Sequence, residues 1–120
     1  VPIIFSPART AARLARAARR ASRPDAARFL AEDVAEDLIE RLAFVRAAPS
    51  RALVLGDWSG AISTALCGRG VKTEADMTAV LTQPLPVSGF DFIAVIGLLD
   101  AVNDLPGALI HLRHALTPGG

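Results

Sequence analysis

The segment that decides the fold reads Ala52-Leu53-Val54-Leu55-Gly56-Asp57-Trp58-Ser59-Gly60. Its first four residues form a short, unbroken apolar run that stops at Gly56, which is typical of a parallel strand buried on both faces. Gly56 and Gly60 bracket a turn that leads into a predicted helix over residues 61–67. A second strand is predicted over residues 71–75 and is closed by Asp76. The segment therefore predicts one βαβ unit and an α/β fold.

The rest of the chain adds helices and one more strand to this unit. Alanine, arginine and leucine dominate residues 7–22, and apolar residues recur at helical spacing from residue 29 to about 47, so two helices precede the sheet. Two prolines within residues 77–89 exclude a central strand there, and that segment is predicted to be a loop. A buried strand over residues 90–97 and a helix over residues 105–116 follow. The pattern predicts a Rossmann-like parallel sheet preceded by two helices.

Charge is divided unevenly along the 120-residue chain. The whole chain carries +1, from 13 basic and 12 acidic side chains, so its overall charge does not argue for a nucleic-acid partner. Residues 1–28 nevertheless contain seven arginines against Asp25 alone, and the remainder is mildly acidic. The arginine-rich helix is therefore either a solvated face or a surface that binds an acidic partner.

Composition limits the class of protein further. With 52% hydrophobic and 21% charged residues, the chain has the makeup of a folded domain. Cys67 is the only cysteine and is predicted to be a small core residue. No apolar run approaches the roughly 20 residues of a membrane span. These features predict a soluble, cytoplasmic protein with no membrane partner.

The turn after the first strand has the parts of a nucleoside-binding site. Gly56 and Gly60 allow the backbone to approach a ligand, and the helix that follows presents an electropositive N-terminus. Asp76, at the end of the next strand, can accept hydrogen bonds from ribose hydroxyls. The alternative is that Asp76 is an ordinary turn residue. Asp57 is predicted to cap the helix. The alternative is that its carboxylate lies against the charged end of a cofactor.

Polar residues near the last helix offer weaker candidates. Asp100 and Asn103 follow the later strand, where either side chain can face a substrate. The alternative for Asn103 is that it caps the next helix. Asp104 is predicted to be such a cap. His111 and His114 have no partners at metal-ligand spacing, so no metal is expected.

Several segments resemble the class I S-adenosylmethionine-dependent methyltransferases. Residues 53–60 are similar to the first motif of that family, which is a glycine-rich turn after a strand. Later segments resemble one branch, that of the biotin-pathway malonyl carrier-protein methyltransferase and the mitochondrial complex I assembly methyltransferase-like protein. These segments are Phe90-Asp91-Phe92-Ile93-Ala94-Val95, Val102-Asn103-Asp104-Leu105-Pro106, Ala108-Leu109 and Leu116-Thr117-Pro118-Gly119-Gly120. The lead-in is similar too, with Phe5, Phe29-Leu30 and Arg41-Leu42.

The resemblance implies a methyltransferase with S-adenosylmethionine as its cofactor. The methyl acceptor would be a small molecule or a group linked to a carrier or a protein. Residues 1–48 would form a helical lid, and residues 49–120 would form the first half of a seven-stranded domain, as a fragment of a longer protein. The exposed sheet edge could then pair with a second copy. The expected cofactor-binding residues are Gly56, Asp57, Gly60, Asp76, Leu98, Leu99 and Asp100, and no catalytic residue is indicated.

The chain also departs from the family pattern. Trp58 stands where the first motif has its middle glycine, and Asp57 stands where a small residue or a cysteine is usual. Residues 77–89 are short for the helix and strand that the family has there. These departures favour two alternatives, which are a non-catalytic methyltransferase-like assembly factor or protein-binding module, and a hydroxylase on the same scaffold.

Overall fold

The computed structural model describes residues 2–76, 85 and 89–120. In chain order its elements are α1 (Pro7–Ala21), α2 (Phe29–Phe44), β1 (Arg51–Leu55), α3 (Ala61–Gly68), β2 (Lys72–Asp76), β3 (Phe92–Val95), a short 3-10 turn (Leu99–Ala101) and α4 (Leu105–Ala115). Each predicted helix and strand is present, with ends that differ by up to three residues. The loop predicted over residues 77–89 falls almost entirely outside the described residues.

The three strands form one parallel sheet in the order β2-β1-β3. At the end of β1, Leu55 lies opposite Asp76 of β2 on one side and opposite Val95 of β3 on the other. The chain thus leaves all three strands at the same edge of the sheet. The predicted α/β class with a parallel, partial Rossmann-like sheet is confirmed.

The central strand β1 is buried on both faces, as its unbroken apolar run predicts. Leu53 and Leu55 pack on one face with Leu14 of α1 and with α4. Ala52 and Val54 pack on the other face with α2 and α3. Helices α1 and α2 therefore contact opposite sides of the sheet, and their joint role as a lid stays a prediction.

Side-chain caps fix where two of the helices begin. Pro7 occupies the first turn of α1, where its missing N–H costs nothing, and the Ser6 hydroxyl accepts a hydrogen bond from the Arg9 N–H at 3.4 Å. The carboxylate of Asp104 accepts from the Gly107 N–H at 3.0 Å at the start of α4. The capping role predicted for Asp104 is confirmed.

Asp91 joins the amino-terminal ends of β1 and β3. Its carboxylate accepts hydrogen bonds from the Ser50 N–H at 2.7 Å and from the Arg51 N–H at 2.9 Å. Burial by itself raises the pKa of Asp91, but these two bonds and one from its own backbone N–H outweigh burial and hold the pKa below its ordinary value. The ionised form of Asp91 therefore stabilises this edge.

Cys67 is exposed, so its prediction as a core residue is wrong. Helix α3 turns Ile62 and Leu66 toward the sheet, where both are buried. Cys67 is the residue after Leu66, and one residue turns the helix by about 100°, which carries the thiol away from the sheet. Its position shows that the apolar face of α3 is narrow.

Candidate functional site

The turn after β1 begins at the carboxyl edge of the sheet, where Leu55 lies between Asp76 of β2 and Val95 of β3. Gly56 has a φ of 78°, and its N–H donates to the carbonyl oxygen of Asp76 at 3.2 Å. A Cβ on Gly56 would clash with the carbonyl oxygen of Ile96 and would lie 3.1 Å from the Cγ of Leu98. Only glycine suits this position, because it combines a left-handed backbone with close packing against the chain beyond β3.

The same turn caps helix α3 with its own side chains. Asp57 Oδ2 accepts from the Ser63 N–H at 2.9 Å and from the Ser63 hydroxyl at 3.0 Å. The Ser59 hydroxyl accepts from the Ala61 N–H at 3.2 Å. The predicted capping role of Asp57 is confirmed, and it places a carboxylate at the electropositive end of α3.

Gly60 is the N-cap residue of α3 and has a φ of 74°. Unlike at Gly56, a Cβ built on Gly60 would meet no atom within 4 Å. The backbone at Gly60 therefore borders open space, which is the property that a ligand-approaching glycine needs.

The strand order creates a switch point at this edge. From β1 the chain moves to β2 on one side, and β3 then lies on the other side of β1. Ligands of open α/β sheets bind outside the carboxyl ends of strands at such points. The expected residues of the site follow these ends, with Gly56, Asp57 and Gly60 after β1, Asp76 ending β2, and Leu98, Leu99 and Asp100 after β3.

The residues after β3 differ in what they offer a ligand. Leu98 is buried in the core cluster that contains Leu14 and Leu53, so its side chain serves packing. Leu99 is half-buried against the same cluster. Asp100 is exposed in the 3-10 turn. Of the three, Asp100 is the side chain that faces solvent at this edge.

The N-terminal part of the chain is bonded to the same edge, a feature that the sequence patterns do not reveal. Arg13 donates from Nη2 to the carbonyl oxygen of Gly97 at 3.1 Å. The side chain of Asn103 accepts from the N–H groups of Ile4 and Phe5, each at 2.7 Å, and donates to the Phe5 carbonyl oxygen at 2.8 Å. Asn103 therefore neither caps α4 nor points into an open site.

Two surface cavities flank the turn. One, of about 430 Å³, is lined by Ser59 and Gly60 of the turn and by the acidic side chains Glu32 and Glu36 of α2. The other, of about 440 Å³, is lined by Trp58 together with the end of α1 and the connection to α2. The indole of Trp58 does not line the cavity beside Gly60.

Comparison with known proteins adds no family to these observations. No protein-family model matches the chain, and neither a curated protein nor a solved structure matches it significantly. Within the described residues, no helix is long and apolar enough to cross a membrane. In that same part of the chain, no three His, Cys, Asp or Glu side chains come together as a possible metal site.

Proposed function

We propose that this chain binds the cofactor of an S-adenosylmethionine-dependent methyltransferase. The observation that carries the proposal is the junction of Gly56 with Asp76, where a 3.2 Å backbone hydrogen bond joins the glycine turn to the acidic end of the neighbouring strand. This junction places the glycine turn, in which the backbone of Gly60 borders open space, beside a carboxylate at the carboxyl edge of a parallel sheet. Such an edge suits a nucleoside.

The residues present fit a nucleoside cofactor at two points. The open space at Gly60 allows a ligand to lie against the backbone of the turn. The carboxylate of Asp76 belongs to an exposed residue at the end of β2, where it can accept hydrogen bonds from ribose hydroxyls. Gly60 and Asp76 are the residues that we assign to holding the cofactor.

The charge of the turn favours a cofactor without phosphate. In phosphate-binding turns, the free N–H groups of a helix N-terminus contact the anion. Here Asp57 and Ser59 already accept from the Ser63 and Ala61 N–H groups, and the Asp57 carboxylate repels a second anion at short range. S-adenosylmethionine has a cationic sulfonium and no phosphate, so Asp57 is compatible with it.

When bound, S-adenosylmethionine supplies the methyl group and its electrophilic carbon. The contribution of the chain is to orient the reactants, which lowers the entropic part of the barrier. The 2.7–2.8 Å bonds of Asn103 and the 3.1 Å bond of Arg13 hold the N-terminal segment at the edge where the reactants would meet. The N-terminal segment would thus border the proposed site.

A second candidate is a methyltransferase-like protein-binding module without turnover. It is favoured by the packing of Gly56, whose Cβ position is filled by the Ile96 carbonyl and the Leu98 side chain. That packing gives Gly56 a structural reason to be glycine that needs no ligand. In this case the carboxyl edge of the sheet would bind a protein partner, and the cofactor would not bind.

Ligand discrimination in the full-length protein separates the two candidates. Isothermal titration calorimetry with S-adenosylmethionine, S-adenosylhomocysteine, ATP and NAD compares cofactors that lack phosphate with cofactors that carry it. The proposal predicts micromolar binding of the first two and at least tenfold weaker binding of ATP and NAD, which is about 1.4 kcal/mol or more. Binding of none of the four by a folded protein would favour the module, and preferential binding of ATP or NAD would overturn the cofactor assignment.

A further inference from the structure

The cavity that Trp58 lines has a chemical character of its own. It lies between the C-terminal end of α1, the connection from α1 to α2 and the turn after β1, and we call it the Trp58 groove. Its polar lining consists of Arg20, Arg23 and Asp25, and alanines provide most of the rest. Its volume of about 440 Å³ falls within the range of small-molecule sites.

Trp58 offers an aromatic surface in this groove. The residue is half-buried, and its indole forms part of the groove lining. Stacking of a planar ring on an aromatic side chain contributes about 1–3 kcal/mol. The small alanine side chains around it leave room for a ring beside the indole.

Two arginines give the groove an excess of positive charge. Arg20 and Arg23 are both exposed, and neither forms an ion pair within the described residues. Backbone hydrogen bonds from Arg23 N–H to the Arg20 carbonyl oxygen and from Ala26 N–H to the Arg23 carbonyl oxygen, at 3.2 and 3.1 Å, fold this part of the connection. Asp25 offsets one of the two charges, so the groove keeps a net attraction for anions.

Other arginines nearby are used differently. Arg13 donates to the Gly97 carbonyl oxygen, and Arg28 donates to the Ala21 carbonyl oxygen at 2.6 Å. The Arg13 side chain joins α1 to the chain after β3, and the Arg28 side chain joins the start of α2 to the end of α1. Arg20 and Arg23 have no such bond within the described residues, which leaves their guanidinium groups for a ligand.

We propose that the Trp58 groove binds a planar ring that carries a phosphate, with the ring on Trp58 and the phosphate on Arg20 and Arg23. A phosphate monoester has up to two negative charges and three acceptor oxygens, which suits two guanidinium groups better than a single carboxylate does. Trp58 lies two residues before Gly60 in the glycine turn, and the groove that it lines is separate from the cavity beside Gly60. The groove is assigned as the acceptor subsite, an assignment that rests on the proposed methyltransferase function.

The test uses the fluorescence of Trp58 in the full-length protein. Within residues 1–120, Trp58 is the only tryptophan and tyrosine is absent. The fluorescence that the parent protein shows and a Trp58→Phe variant lacks is therefore the emission of Trp58. Adenosine monophosphate, adenosine, inorganic phosphate and a short oligoadenylate are titrated with and without saturating S-adenosylhomocysteine. We expect saturable quenching by adenosine monophosphate and at least tenfold weaker binding of adenosine. Equal binding of adenosine and adenosine monophosphate, or no quenching, would overturn the proposal.

The oligoadenylate distinguishes two sources of the same ligand chemistry. Tighter binding of the oligoadenylate than of the mononucleotide would assign the groove to a nucleotide within a single strand. Equal or weaker binding would assign it to a free phosphorylated ring compound. Either result supports a planar, phosphate-bearing ligand.

Matched arginine variants test the phosphate contact. Arg20→Gln and Arg23→Gln should each weaken the binding of adenosine monophosphate about tenfold, because each removes one charged donor. Arg19→Gln removes an arginine of the same helix that does not line the groove, and it should change affinity less than about twofold. Equal effects of all three variants would show general electrostatic attraction and would overturn the site. Circular dichroism melting confirms that each variant is folded.

The outcome is separable from that of the cofactor titration. Binding of adenosine monophosphate without binding of S-adenosylhomocysteine would keep the groove as a phosphate-ring site and would remove the methyltransferase proposal. Binding of S-adenosylhomocysteine without binding of adenosine monophosphate would keep the methyltransferase proposal and would overturn the assignment of the groove.

Discussion

The side chain of Asn103 pairs with the backbone of Phe5 as a neighbouring strand would. Its Oδ1 accepts from the Phe5 N–H at 2.7 Å, and its Nδ2 donates to the Phe5 carbonyl oxygen at 2.8 Å. The same oxygen also accepts from the Ile4 N–H at 2.7 Å. One amide group thus fixes the segment that precedes α1 to the chain between β3 and α4, although 98 residues separate the two partners.

Replacement of Asn103 by alanine should release the N-terminal segment. It removes the three hydrogen bonds of a half-buried residue, and we expect a loss of about 1–2 kcal/mol in the free energy of unfolding. Urea denaturation measures the loss, and hydrogen exchange should show faster exchange of the Ile4 and Phe5 amides. Asn103→Asp keeps the acceptor and loses the donor, so its stability should lie between those of the alanine variant and the parent. Unchanged exchange in Asn103→Ala would show that other contacts hold the segment.

Asp91 should make the stability of the fold depend on pH in the acid range. An aspartate in an unfolded chain has a pKa of about 3.9, and the folded-state pKa of Asp91 is lowered from its ordinary value. Its contribution is therefore complete above the unfolded-state pKa and is lost as the pH falls through the folded-state pKa. Asp91→Asn should lower the free energy of unfolding by about 1 kcal/mol at neutral pH.

The measurement for Asp91 is urea denaturation at a series of pH values from neutral to strongly acid. The difference in stability between the parent and Asp91→Asn should shrink as the pH falls below the unfolded-state pKa. Asp100→Asn removes an exposed carboxylate that makes no hydrogen bond within the described residues and serves as the control. A constant difference for Asp91→Asn across the series would contradict the account.

Glycine replacements should separate packing from backbone conformation. Gly56→Ala introduces a Cβ that clashes with the Ile96 carbonyl oxygen at a φ of 78°, and we expect a loss of about 2–4 kcal/mol. Gly60→Ala and Gly70→Ala meet no atom within 4 Å at φ values of 74° and 79°, so each should lose only about 1 kcal/mol for the left-handed backbone. Thermal denaturation provides the comparison. A Gly56→Ala variant as stable as the other two would contradict the close packing at Gly56.

Asp57 should stabilise α3 mainly as a hydrogen-bond acceptor. Asp57→Ala removes the bonds to the Ser63 N–H and hydroxyl and should cost about 0.5–2 kcal/mol, the range for loss of an N-terminal cap. Asp57→Asn keeps an acceptor oxygen and should be closer to the parent in chemical denaturation. If both variants lose the same amount, the charge of Asp57 rather than its hydrogen bonds stabilises the helix.

The sequence predicts the parts of this structure that depend on local pattern. The apolar run that ends at Gly56 identifies β1, and Asp57 and Asp104 are predicted as caps from their positions before helices, because these signals act over a few residues. The bonds of Asn103 to Phe5 and of Arg13 to Gly97 join residues far apart in the chain, and no periodicity encodes them. Leu98 illustrates the same limit, since its position after β3 suggests a ligand contact whereas the tertiary packing buries it in the core.

The central claim is that the turn around Gly60 holds S-adenosylmethionine, and calorimetric titration of the full-length protein with S-adenosylhomocysteine tests it most directly. Gly60→Ala and Gly70→Ala form a matched pair, since both glycines have a positive φ and open space, but Gly70 follows α3 at the opposite edge of the sheet. We predict micromolar binding by the parent, similar binding by Gly70→Ala, and at least about tenfold weaker binding by Gly60→Ala. Absence of binding by a folded parent protein, or equal affinities of the two variants, would contradict the claim.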